Sequence, residues 1–78
     1  MFTIIGKQRK VGVYEGREYD NTILHCTYDL DPAKEGNEGK GVTSLKIKTA
    51  NLHGALDLGD HINPYYDRYG NVIAVDVI

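Results

Sequence analysis

Tyrosines and cationic side chains recur together in one short segment of the chain, residues 9–19. A tyrosine ring offers a flat π surface on which another planar group can stack, and an arginine or lysine beside it attracts anions. Tyr19 lies two residues after Arg17, and Arg68 directly precedes Tyr69 near the other end of the chain. Rings flanked by cations are therefore the chemistry-bearing feature of this sequence.

This combination suits single-stranded nucleic acid, because each unpaired base has a face that can stack and each nucleotide carries a phosphate. Packing at the edge of the fold explains Tyr19 and Tyr69 equally well, and the apolar surroundings of Tyr28 favour burial. Taken singly, each cation is also explained as a solvated surface charge. The candidate binding residues are Arg9, Tyr14, Arg17, Tyr19, Lys46, Lys48, Arg68 and Tyr69.

Motifs for catalysis and for metal binding are missing from the sequence. It has no nucleophile elbow, phosphate-cradling glycine motif, HExxH or paired-cysteine spacing. His25 and Cys26 are adjacent on a predicted strand and point to opposite faces. His53, Asp57 and His61 could converge on an ion, but solvated loop positions explain them better. We expect no enzyme, no metal, no cofactor and no small-molecule substrate.

The 78 residues predict one small domain, 1–78, of a size for which dimerisation is a common source of stability. A net charge of −2 argues against a protein that binds nucleic acid by charge alone. The charge is unevenly distributed, however. Residues 1–17 carry four cations and one acid, whereas residues 18–31 carry four acids and no lysine or arginine. We expect one basic and one acidic face.

Cysteine content and hydropathy indicate the compartment. The single cysteine, Cys26, excludes an internal disulfide and agrees with a reducing, cytoplasmic setting. No apolar run is long enough to span a membrane, and the opening ten residues are too short for a secretory signal. The sequence therefore predicts a cytoplasmic protein with no membrane partner.

The second predicted strand, from Glu18 to about Leu30, carries the clearest period-two alternation. One face, predicted to be core, holds Thr22, Leu24, Cys26, Tyr28 and Leu30. The other, predicted to be exposed, holds Tyr19, Asn21, Ile23, His25 and Thr27.

The other predicted elements are also mostly strands and turns. A first strand from about Phe2 to Val13 is bent at Gly6 or Gly12, and Gly16 supplies a positive φ in a hairpin turn over 14–17. A mobile loop, 31–41, precedes a strand over 42–48. The spacing of Leu52, Ala55 and Leu56 predicts a short helical turn within 49–58. A fourth strand runs from Gly59 through Ile62 and is broken or bent at Pro64, and a turn over 67–71 leads into a fifth strand, 72–78.

Five strands with a long first hairpin predict an all-β domain, a small five-stranded OB-fold-like barrel. An SH3-like barrel remains the alternative, because strand count alone does not separate the two.

The order of these features resembles the small single-stranded-DNA-binding, helix-destabilising proteins of filamentous bacteriophages and related phage or plasmid replication proteins. Arg9, then Gly16-Arg17-Glu18-Tyr19, a long alternating strand, Leu45-Lys46-Ile47 and the Tyr69-Gly70 turn follow one another as in that family. The resemblance covers about residues 9–78, and none of its motifs is unique.

That resemblance implies an OB-fold homodimer that binds single strands cooperatively, without a cofactor and with little sequence preference. By position, Arg9 would contact phosphate, Tyr19 would stack on a base and Lys46 would match a lysine of the third strand. Tyr69 would lie at a loop tip near bound DNA and a neighbouring subunit.

The sequence departs from the family at several positions. Asp76 and Ile78 stand where the family has basic residues, and Tyr14 stands where a second hairpin arginine is expected. The resemblance therefore implies weaker or more salt-sensitive binding, or a larger share for stacking.

Two functions follow. The first is binding of single-stranded DNA, with RNA as the alternative, in phage or plasmid replication. The second is a protein-interaction or inhibitory module of mobile-element origin that binds a host protein through an edge strand or the acidic face.

Overall fold

The computed structural model describes residues 1–78 as an all-β chain with five antiparallel strands. The strands are β1 (Phe2–Tyr14), β2 (Arg17–Asp29), β3 (Lys40–Lys48), β4 (His61–Tyr66) and β5 (Val72–Val77), and a 3₁₀ turn spans Thr49–Asn51. They form one sheet in the order β3-β2-β1-β4-β5. The two edge strands, β3 and β5, contact each other but do not pair. The all-β prediction is confirmed, and the sheet is not closed into a barrel.

The β1–β2 hairpin is the longest element of the fold. Its two-residue turn has positive φ at both positions, 51° at Glu15 and 76° at Gly16, as a type I′ turn requires. The flanking residues, Tyr14 and Arg17, are paired, and pairing continues to Thr3 and Thr27. The register shifts once, between Ile4 and Gly6. The predicted turn and the predicted irregularity at Gly6 are both confirmed.

Half of this hairpin projects beyond the rest of the sheet. On one side β3 pairs with β2 only from Asn21 onward, and on the other β4 pairs with β1 only at Phe2 and Thr3. Residues 8–20 therefore form a two-stranded ribbon that lacks a neighbouring strand, and we call it the arm. It contributes to an elongated molecule of 48 × 25 × 22 Å.

The core lies on one face of the sheet, which we call the inner face. Its buried members are Ile4, Leu24, Cys26, Leu45, Ile47, Leu56 and Ile62. Thr22 is buried with them, so the predicted core face of β2 is confirmed at Thr22, Leu24 and Cys26. The Cys26 thiol contacts the carbonyl oxygen of Leu24, and burial raises its pKa.

Two sequence-based expectations are wrong in detail. The helical turn expected within 49–58 ends at Asn51, because Leu52 is already extended and Gly54 has φ of 91°, outside the helical region. The fourth strand is not broken at Pro64, which lies inside β4 and pairs with Val75, although the register with β5 shifts once nearby, between Tyr65 and Tyr66. Beyond the two residue pairs that join β4 to β1, one side of β4 has no partner, so the missing proline N–H breaks no ladder there.

Ile62 provides a test of how β4 is held to the sheet. It is fully buried, and its strand is joined to β1 by two residue pairs, so core packing is the main attachment. We expect Ile62→Ala to lower the free energy of unfolding by about 2–5 kcal/mol in urea titration. Ile73→Ala, on the neighbouring strand, removes a side chain that is 46% exposed and should cost far less. Equal losses for the two variants would contradict this account of the core.

Candidate nucleic-acid interface

The face of the sheet opposite the core, here called the outer face, carries most of the predicted binding residues. Cross-strand partners share a face, and residues along a strand alternate between faces. Leu24 is buried, so Tyr19, Asn21 and Ile23 point outward. Their partners across the sheet are Gly12 and Lys10 on β1, and Lys48 and Lys46 on β3. The pair Tyr14–Arg17 lies on the same face at the tip of the arm.

The ring of Tyr19 lies across the arm, over Gly12. A Cβ atom built on Gly12 would lie 2.5 Å from the Tyr19 hydroxyl oxygen and 2.7 Å from ring atom Cζ. The ring therefore occupies the space that any other residue at position 12 would fill. Tyr19 remains 40% exposed. The ring therefore packs against the backbone of Gly12 and stays partly open to solvent, as a surface for base stacking requires.

Two shallow grooves meet at this ring. The first follows the outer face of the arm and is lined by Lys10, Tyr14, Arg17, Tyr19, Asn21 and Lys46, among others. The second lies between β3 and the β4–β5 turn, where Lys48, Asn51, Tyr66 and Asn71 join the lining. Tyr19, Asn21 and Lys46 line both grooves. The grooves therefore form one continuous track from the hairpin tip to the β4–β5 turn.

Four cations of the outer face have no ion-pair partner within the chain. The structure has two ion pairs, Arg9–Asp20 on the inner face and Lys40–Asp29 at the far end of the outer face, and neither involves Lys10, Arg17, Lys46 or Lys48. Lys10, Arg17, Lys46 and Lys48 are all exposed. Three acids, Glu15, Glu18 and Asp67, also line the two grooves, so the four cations give the track a small positive excess in a protein of net charge −2.

Arg9 differs from the other predicted cations because it lies on the inner face. Its Nε and Nη2 atoms donate to the two carboxylate oxygens of Asp20 at 2.9 and 2.6 Å. Thr49 donates to the same carboxylate at 2.7 Å, which leaves its oxygen to accept from the Thr22 hydroxyl at 2.8 Å. These hydrogen bonds, led by that from Arg9, lower the pKa of Asp20 to about 2. They occupy the guanidinium and satisfy the buried Thr22 hydroxyl.

Arg68 and Tyr69 lie at the tip of the β4–β5 turn. The Arg68 guanidinium carbon is 5.1 Å from the centre of the Tyr69 ring, and that ring is 75% exposed. Asp67 holds the turn by accepting hydrogen bonds from the backbone N–H groups of Tyr69 and Asn71, which lowers the pKa of its carboxyl group. The turn that carries the cation–π pair borders the second groove.

The structure thus brings five of the eight predicted residues together and separates three. The shared outer-face set is Tyr14, Arg17, Tyr19, Lys46 and Lys48. Arg68 and Tyr69 lie at the rim of the track, and Arg9 lies on the opposite face. Lys10 and Asn21, which also lie on the outer face, were not among the eight candidate residues. Strand parity counted from the hairpin turn would have found both, since they pair with each other.

The acidic segment 18–31 does not form one acidic face. The carboxylate of Asp20 is bound by Arg9, and that of Asp29 accepts from Lys40 at 2.6 Å, which lowers the pKa of Asp29. No group of three or more histidine, cysteine, aspartate or glutamate side chains is arranged to hold a metal ion. No helix has the length and apolar character needed to cross a bilayer.

Comparisons with protein-family models, with curated proteins and with solved structures gave no significant match. The resemblance to filamentous-phage proteins therefore stays a prediction from the sequence.

The Arg9–Asp20 pair predicts an acid-sensitive contact. The pKa of Asp20 is lower in the folded chain than in the unfolded one, so its contribution to stability is full above about pH 4 and is lost as the pH falls through about 2. We expect carboxyl-carbon NMR to show this midpoint in the wild type and a higher midpoint in Arg9→Gln. Arg17→Gln, which removes an unpaired cation, is the control. A midpoint for Asp20 that Arg9→Gln does not raise would contradict the pairing.

Proposed function

We propose that this protein binds single-stranded nucleic acid, with DNA as the expected ligand, on its outer face and without catalysis. The observation that carries the proposal is the position of Tyr19, held over Gly12 at the junction of two grooves and flanked by cations without acidic partners. A stacked base would contact the ring, and phosphates would contact the lysines on either side.

Each strand contributes a defined part to this interface. Along β2, the outer-face residues from Tyr19 to His25 span roughly 20 Å, a length that suits an extended strand of a few nucleotides. Lys46 and Lys48 border this row on one side and Lys10 on the other. Phosphate contacts from both borders would hold a strand along the row, and Asn21 would offer hydrogen bonds, whereas both ring nitrogens of His25 are bound within the chain, to Ser44 and Gln8.

Arg9 has no place in the proposed interface, since its guanidinium is bound by Asp20 on the other side of the sheet. Because Arg9 lies outside the track, binding of a strand would depend on the lysines, on Arg17 and on base stacking. Fewer phosphate contacts predict weaker binding with a shallower dependence of affinity on salt than in a strongly basic single-strand-binding protein, which replaces the greater salt sensitivity expected from the resemblance.

The finer fold assignment belongs to the same proposal. The order β3-β2-β1-β4-β5, with β3 and β5 in contact but unpaired, is compatible with a partly open OB-type barrel. In that fold, oligonucleotides bind on the outer surface of the strands at the centre of the sheet and between the flanking loops. The track described above follows that course. A replication role of phage or plasmid type and a cytoplasmic location are extensions of the resemblance.

A second candidate function, recruitment of a host protein, is favoured by one observation. The outer edge of β1 has no partner strand over most of its length, and such an edge can accept a strand from another molecule. The acidic face that this function was also expected to use is not formed, because Asp20 and Asp29 are paired within the chain.

Titration of a fluorescently labelled oligo-dT at two salt concentrations tests the main proposal. We expect binding that weakens as salt rises, and we expect Tyr19→Ala to lower affinity roughly 5- to 150-fold, from about 1–3 kcal/mol per stacked base. Tyr65→Ala is the matched control, since Tyr65 is 50% exposed but lies outside both grooves and donates its hydroxyl to Asp76. A folded protein that shows no binding at low salt would overturn the proposal.

Gly12→Ala tests the platform without removing the tyrosine. The new methyl group would take the space of the Tyr19 hydroxyl and ring edge, so the ring must move from its position over the arm. We expect weaker oligo-dT binding and a thermal midpoint close to that of the wild type, since the arm is not part of the core.

Gly41→Ala is the control for Gly12→Ala, because Gly41 lies under Tyr28 on the inner face in the same cross-strand arrangement. Tyr28 packs edge-on against Phe2, with ring centres 5.9 Å apart. This variant should lower the thermal midpoint and leave oligo-dT affinity unchanged. The opposite pattern in the two glycine variants would show that Tyr19 is not the binding platform.

A further inference from the structure

A further groove lies on the inner face, between the base of the arm and the connection from β3 to β4. Its volume of about 440 Å³ is within the range of small-molecule sites. The track of the proposed function runs on the other face of the sheet, so the two sites are separate. We call this site the inner groove, and its lining includes Lys7, Arg9, Leu24, Leu52, Ala55 and Leu56.

The floor of the inner groove is apolar and continuous with the core. Leu24 and Leu56 are members of the buried core cluster, and Leu52 packs against it. Leu52 is itself only half-buried, and Ala55 beside it is exposed. The connection therefore offers apolar contact to the chain of a ligand, above a floor of core leucines.

The arm side of the inner groove carries two cations, and no aspartate or glutamate belongs to its lining. The guanidinium of Arg9 is paired with Asp20, which lies beside the groove. The ammonium group of Lys7 has no ion-pair partner, and it donates one hydrogen bond, to the carbonyl oxygen of Leu56. After the Arg9–Asp20 pair cancels, Lys7 leaves an excess of one positive charge at the groove.

The spare hydrogen-bonding capacity of these side chains consists mainly of donors. The hydroxyl groups of Thr22 and Thr49 are used in the chain of hydrogen bonds that ends at Asp20. An ammonium group has three N–H donors and a guanidinium group has five. Lys7 uses one of its donors, and Arg9 uses its Nε and Nη2 atoms. The complementary ligand group accepts hydrogen bonds and carries one negative charge, as an ionised carboxylate does.

We propose that the inner groove binds a small carboxylate that carries an apolar chain. The carboxylate would accept hydrogen bonds from Lys7 and from the Nη1 group of Arg9. The chain would lie along Leu52 and Ala55, over the core leucines. The excess of a single charge and the apolar floor favour this ligand over inorganic phosphate, which has no apolar part to contact Leu52. The site lies on the face opposite Tyr19, so it does not rest on the proposed function.

Octanoate is the probe for this site, with three control compounds. Octylammonium has the same chain and the opposite charge, octanol has the chain without a charge, and acetate has the charge without the chain. We expect octanoate to bind with a dissociation constant on the order of 1 mM, as a ligand of this size in an open groove allows. Octanol and acetate should bind at least about tenfold more weakly, and octylammonium should not bind.

Two-dimensional NMR of the backbone amides locates the bound probe. Octanoate should shift the signals of Lys7, Leu52 and Ala55 saturably and leave those of Tyr19 and Asn21 in place. Three results would overturn the proposal: no saturable shift at concentrations well above the expected constant, equal binding of octanol, or shifts spread over both faces of the sheet.

Lys7→Gln tests the source of the charge. Lys7 is exposed, so the variant should fold as the wild type does, and we expect it to bind octanoate about tenfold more weakly. Lys10→Gln is the matched control, because it removes an exposed cation of the neighbouring strand segment that points to the outer face. An affinity for octanoate that falls equally in both variants would show that only the overall charge matters and would contradict the site.

A second pair of variants changes the opposite wall. Ala55→Glu places a negative charge beside the carboxylate, whereas Ala55→Gln adds a side chain of the same size without the charge. Ala55 is exposed, so neither variant should disturb the core. We expect Ala55→Glu to bind octanoate much more weakly than Ala55→Gln, and equal affinities would overturn the proposal. Because no nucleic acid is present, a failure here leaves the proposed function standing, and a failed oligo-dT titration leaves this site standing.

Discussion

The register between β1 and β2 is the constraint on which the rest of the molecule depends. The two-residue turn at Glu15 and Gly16 sets this register at one end, and burial of Leu24 and Cys26 sets it at the other. A slip of one residue would exchange the two faces of β2, exposing the core set and burying Tyr19, Asn21 and His25. Turn geometry and apolar burial therefore agree on a single pairing, and that pairing decides which side chains form the grooves.

Ion pairing differs between the two faces of the arm. On the inner side of the arm, Arg9 is held by Asp20, which is also bound by Thr49 at the start of the connection to β4. This contact ties the arm to the end of β3 where no strand covers it. On the outer side the one ion pair is Lys40–Asp29, at the other end of β2, so Lys10, Arg17, Lys46 and Lys48 keep their charge available. The uneven charge along the sequence becomes a difference between two faces of one ribbon.

Much of the fold could be predicted from local pattern, and the failures have physical causes. The alternation in β2, the turn at Gly16 and the all-β class all follow from short-range signals. The face of Arg9 does not, because the irregularity between Ile4 and Gly6 shifts the parity of β1. Counted from the buried Ile4, residues of even number would face the core, and the bulge turns Arg9 inward instead. Pro64 was misjudged because its acceptance depends on β4 leaving β1, a long-range feature. The co-location of Tyr19 with Lys46 and Lys48 required strand pairing that no local pattern specifies.

The buried thiol of Cys26 has a practical consequence. The side chain is inaccessible, and its raised pKa keeps it protonated at neutral pH, whereas alkylating reagents such as maleimides react with an accessible thiolate. The native chain is therefore silent toward thiol-directed dyes and spin labels while it stays folded. A reporter can be attached to one engineered surface position without replacing Cys26, and labelling of the unmodified protein would in turn report opening of its interior.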